Sequence, residues 1–185
     1  MVHKIYAQPL GRVVLEILLG ALLWAVLNAT LGKRKPKLWQ ISNLVLLAGS
    51  VFAVAFMTLM HREPGEHELI LIPGYFLKEA QTEPEVYRSL LMNVLLFTPF
   101  GLTLSAVLST KVTPWKCFLL TVLIGIALSL SVETAQYLGG LGRAEVDDLL
   151  ANTLGTFIGA LHVPLGAFFL TQMSILMKKH SEDHE

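Results

Sequence analysis

Apolar blocks of about twenty residues recur along this chain, and they constrain its fold more tightly than any other feature. An α-helix rises about 1.5 Å per residue, so a block of that length crosses a hydrocarbon core of about 30 Å. The bilayer core offers no water to backbone N–H and C=O groups, so each block has to satisfy them internally, as helix. Five such spans can be drawn: Val13 to Leu31, Leu38 to Met60, Ser89 to Thr110, Cys117 to Leu138 and Asp148 to Met177. Pro164 is expected to kink or break the last, because proline removes a helix donor and crowds the preceding turn. Charged residues make up 15% of the chain, against about 25% in a soluble domain, and the mean hydropathy is +0.60. The expected fold is all-α, a polytopic transmembrane helix bundle of about five spans, with residues 1–185 forming one transmembrane domain.

Lysine and arginine in short connections set orientation. Lys33, Arg34, Lys35 and Lys37 fall on one side together with Lys111, Lys116, Lys178 and Lys179. That side is expected to be cytoplasmic, which puts the N-terminus outside, the C-terminus inside and residues 178–185 in a cytoplasmic tail. The apolar run after Arg12 is too long for the core of a cleaved signal peptide, so the first block reads as a retained span. Residues 61–88 form the long extracytoplasmic loop, which is acidic and holds the apolar run Leu69 to Phe76. That run is too short to span, and is expected either to lie in the interface as a cap or to dip in under protein cover.

Net charge is zero, which shows no footprint for nucleic acid. The single cysteine, Cys117, excludes an intrachain disulfide and a cysteine metal cage. No cofactor is expected. His61 and His67 match no standard zinc spacing.

Ionisable groups at the edge of a bilayer are kept where they pair, line a cavity or do chemistry. Placed by depth, Asn93 lies about one turn below the outer end of the third span. Glu133 and Gln136 share a face near the outer end of the fourth, and Asn152 lies one turn below Asp148 in the fifth. Three helices thus carry polar groups at one depth, enough for a single pocket. The Gly-rich connection holds Arg143 above it, with Glu133, Asp147 or Asp148 as bidentate partners. Two plainer roles stand beside this: an aspartate capping the fifth helix, and a Glu133–Arg143 pair locking two helices. Gly155 and Gly159 form a close-packing step, which offers a face for a homodimer. Pro99 and Gly101 should bend the third helix, Arg12 and Glu16 should pair along the first, and His162 reads as a hydrogen-bonded packing residue.

Three segments taken in order, Asn93 to Gly101 (NVLLFTPFG), Glu133 to Gln136 (ETAQ), and Arg143 to Asp148 continuing to Asn152–Gly155 (NTLG), resemble the VanZ-like family of bacterial membrane proteins over about residues 65–160. Relatives often carry Asn-Leu-Ile-Pro-Phe in the preceding outer loop; Ile70 to Gly74 keeps the proline and lacks the Asn and Phe. The resemblance implies a multi-pass protein of the bacterial cytoplasmic membrane, in a family whose founding member is linked to teicoplanin-type glycopeptide resistance. By motif position it carries over Asn93, Glu133, Gln136, Arg143, Asp148 and Asn152.

Two function classes follow. The first is a non-enzymatic envelope factor, whose pocket of Asn93, Glu133, Gln136, Arg143, Asp147, Asp148 and Asn152 binds a lipid-linked wall precursor or a lipoglycopeptide among membrane lipids. The second is a membrane enzyme acting on a lipid-borne phosphate or ester, with Glu133 as base, Arg143 as anion clamp and Asp147 and Asp148 on a divalent cation. The second lacks an obvious nucleophile: Thr134, Thr153 and Tyr137 are the only nearby hydroxyls. The first is favoured. A small carrier or an assembly subunit ranks third, since the chain carries no inverted repeat.

Overall fold

The computed structural model describes Gly20, Trp24 and residues 35–60, 67–83 and 85–182. Its elements are α1 (Pro36–Ala55), continued by a π-helical turn (Phe56–Met60), β1 (Leu69–Ile70), α2 (Tyr75–Glu79), α3 (Glu85–Leu108), α4 (Pro114–Gly139), β2 (Ala144–Glu145), α5 (Val146–Ala160) and α6 (His162–Glu182). Four helical stretches among the described residues are long and apolar enough to cross a membrane: Pro36–Met60, Glu85–Leu108, Pro114–Gly139 and Val146–Met177. The molecule is an all-α polytopic bundle. The first expected span and the Arg12–Glu16 pair lie outside the described residues, apart from Gly20 and Trp24, which are helical.

The boundaries have local causes. Proline opens α1 and α4 at the first helical turn, where its missing N–H costs nothing. Glu85 sits in the first turn of α3, where its charge suits the helix dipole. The loop expected to reach residue 88 therefore yields to helix four residues early. Gly140, at φ 58°, ends α4 in the left-handed conformation that glycine adopts freely. The last expected span divides at Leu161, three residues before Pro164. Proline donates no bond to the carbonyl of Ala160, which ends α5 there. Pro99, by contrast, is carried inside α3 without a break in the helix.

The core sits where α1, α3 and α4 meet, around Val54, Phe97, Phe100, Leu104 and Val132. The tightest approach is between α3 and α5. A Cβ on Gly155 would stand 2.2 Å from the Val94 carbonyl oxygen, one on Gly159 2.3 Å from that of Thr98, and one on Gly101 2.3 Å from that of Thr156. The face on which the sequence suggests a homodimer, Gly155 and Gly159, is thus taken up by α3 of the same chain. Backbone contact of this kind suits helices in lipid, where packing drives association. His162 is a packing residue: its Nδ1 lies 2.9 Å from the Gly159 carbonyl oxygen, and its ring meets Trp24 edge to face at 4.9 Å. Cys117 is fully buried and donates to the Ser105 carbonyl.

The apolar run Leu69 to Phe76 does not dip into the bundle. Leu69–Ile70 pairs in parallel with Ala144–Glu145, in the register Leu69↔Ala144 and Ile70↔Glu145. The chain then turns through Pro73 and Gly74 (φ 79°) into α2. Residues 67–83 form a strap over the connection between α4 and α5.

Candidate functional site

The seven polar residues singled out from the sequence do not meet in one pocket. Six of them divide into a buried set between helices and an outer set under the strap, and Asn93 stands apart.

Gln136 and Asn152 belong to the buried set, each 2% exposed. Gln136 donates from Nε2 to the carbonyl of Thr58 in the π-turn at 3.1 Å. Asn152 donates from Nδ2 to Ser129 Oγ at 2.9 Å. Their side-chain oxygens have no hydrogen-bond partner. Glu133, 7% exposed, lies one helical turn from Ser129 and one turn from Gln136, and its Oε2 accepts the backbone N–H of Glu145 at 3.0 Å. Glu145 is the N-cap position of α5 and makes no side-chain cap of its own, so α4 supplies the capping carboxylate from across the interface. Asn93 stands apart, half-buried on α3, with no hydrogen bond to the others.

The outer set is organised by Arg143. The sequence suggests Glu133, Asp147 or Asp148 as its partners; its guanidinium instead takes Glu79 bidentately, through Nη1 and Nη2, and Glu145 through Nε at 2.8 Å. Glu68 lies 4.0 Å away. The strap brings Glu79 into place, and Glu79 is one of six acids in the loop, so sequence alone offers no way to choose it. The pKa of Arg143 is raised, first by the hydrogen bond to Glu79, with burial opposing. Burial raises Glu145 above the ordinary carboxylate value; Arg143 lowers it and Asp148 and Glu79 push it up.

Asp147 does not cap α5 either. It is 5% exposed and turned toward the strap, accepting from the N–H of Gly74 at 2.7 Å on one oxygen and of Phe76 at 3.1 Å on the other. Both oxygens face donors, the reverse of what a cation requires. Among the described residues no group of three or more histidine, cysteine or acidic side chains gathers to hold a metal ion.

Two clefts flank β2. One, of about 170 Å³, is apolar and lies among Leu71, Leu130, Tyr137 and Leu149, with Glu133 at its wall. The other, of about 330 Å³, is polar and is lined by Glu79, Glu83, Glu85, Arg143 and Asp148, with Phe76 on one side. Glu145 borders both. A reaction using Glu133 as base and Arg143 as anion clamp needs both groups at one reacting atom. Here Glu133 borders the apolar cleft and Arg143 the polar one, where three of its five N–H donors are taken by two carboxylates.

The sequence pattern of the VanZ/LLP1 family matches residues 44–169. The chain is 32% identical over 74 residues to Protein VanZ of Enterococcus faecium, a match covering 40% of this chain and 42% of that protein. No solved structure matches.

Proposed function

This chain belongs to the VanZ/LLP1 family, and from that premise we propose that it is a non-catalytic factor of the bacterial cytoplasmic membrane. It binds an amphipathic ligand, a lipid-linked wall precursor or a lipoglycopeptide, at the strap end of the bundle, and so contributes to teicoplanin-type resistance. One observation carries this reading: a polar and an apolar cleft adjoin across the single residue Glu145. A molecule with a polar head and a hydrocarbon tail can place each in the surroundings that suit it. The positive-inside bias of the sequence supports an outward position for this end, where wall precursors and antibiotics are met.

The test uses purified protein in lipid nanodiscs, titrated with teicoplanin, with its deacylated core and with a lipid-linked wall precursor. Saturable binding that is lost on deacylation, together with lower teicoplanin susceptibility of a bacterial host, supports the reading. Tighter binding of the precursor than of teicoplanin makes the precursor the physiological ligand. Failure of all three to bind, with no change in susceptibility, overturns it.

A further inference from the structure

We infer that the strap of residues 67–83 is a movable lid over both clefts, latched shut by Asp147 and Arg143. Its attachment is almost wholly polar. Ile70 alone of its large apolar side chains is buried, while Leu69, Leu71, Ile72 and Leu77 are all more than half exposed. What holds it is the two-residue strand pair, the bond from the Ala144 N–H to the Glu68 carbonyl at 3.0 Å, the two amides on Asp147, the Arg143–Glu79 pair, a bond between His67 and the Tyr137 carbonyl, and one ring contact, Phe76 edge to face on Tyr87 of α3 at 5.8 Å. Every polar attachment among these lands between Tyr137 and Asp147.

A segment that buries little apolar surface and hangs on a few hydrogen bonds opens at lower free energy than the helices beneath it. The same segment lines both clefts, the apolar one through Leu69 and Leu71 and the polar one through Phe76, Glu79 and Glu83. Its movement therefore changes both at once. Before the strap, α1 ends in the π-turn Phe56–Met60, a geometry often found at functional sites, and Gln136 holds that turn at Thr58. The π-turn is thus fixed to α4, while the strap that follows it in sequence is held by the bonds and the ring contact above.

This inference rests on reading the clefts as the ligand site, but its test needs no ligand. Spin labels are placed on Leu71→Cys in the strap and Leu150→Cys on α5, both exposed positions, in a Cys117→Ala background in nanodiscs. Pulsed electron–electron resonance then measures the separation. The expected result is a main short distance and a minor longer one, with the longer population growing several-fold in Asp147→Asn. Arg143→Gln gives a second, independent release. A single narrow distance, unchanged in both variants, overturns the proposal. So does a lowered melting temperature with unchanged distances, which would make the two residues fasteners of a fixed loop.

Discussion

Asp147 and Asp148 are neighbours with different duties, because successive residues of a helix point about 100° apart. Asp147 faces the strap and gives one oxygen to each of two backbone amides; Asp148 faces the polar cleft. Asp147→Ala strands two donors in a largely dry place, and bonds to charged groups contribute about 1.5–3 kcal/mol each at most. The expected loss is about 2 kcal/mol, confined to the strap. Limited proteolysis should then cut within residues 67–83 while helices α3 to α5 stay protected. Asp148→Asn keeps the shape of the side chain and should lower melting by less than Asp147→Ala. Glu145 adds a pH dependence. Its pKa is raised in the folded protein, so above the ordinary glutamate value the folded state holds more protons than the unfolded one, and stability falls as pH rises through that window. Glu145→Gln should flatten this slope, read as melting temperature against pH. Equal slopes in both proteins would place the titration elsewhere.

Glycine decides how close α3 and α5 come. At Gly155 and Gly159 an added Cβ would meet the backbone of α3, which cannot swing aside as a side chain does. Gly159→Ala should therefore force the helices apart and cost about 1–3 kcal/mol, in the range of overpacked cores. Gly49→Ala and Gly166→Ala, with nothing within 4 Å, should be neutral or stabilise by up to about 1 kcal/mol. If Gly159→Ala proved as neutral or stabilising as the other two, helix propensity, not packing, would govern at this contact. The same elements mark where sequence reasoning succeeds. The four described spans were legible because a bilayer permits little but helix for a twenty-residue apolar run. The break before Pro164 and the close-packing step at Gly155 and Gly159 were legible because each depends on one residue type. The partner of that step was not, since two glycines announce a close approach without saying to what. The strap was least legible: its two-residue strand pair joins positions about 75 apart in sequence, and its bidentate acid is one among six.

At the scale of the whole molecule, the question is whether two clefts make one site. The strap roofs both, and Glu145 borders both with its side chain on Arg143 and its backbone N–H on Glu133. One amphipathic ligand filling both would couple substitutions made in either. Leu149→Trp places a large ring in the apolar cleft of about 170 Å³. Because Leu149 is only half-buried there, the fold should tolerate it. Tail binding should weaken at least tenfold, which is about 1.4 kcal/mol. Asp148→Asn removes a charge from the polar cleft and should shift affinity by a smaller factor. For a ligand that bridges Glu145, losing the tail frees the head to reorient. The double variant should then fall short of the product of the two single effects, a coupling of about 0.5 kcal/mol or more. Titration of teicoplanin against the four proteins of the cycle measures it. Strict multiplication of the two effects would mean that the clefts act independently, with the polar one serving another molecule.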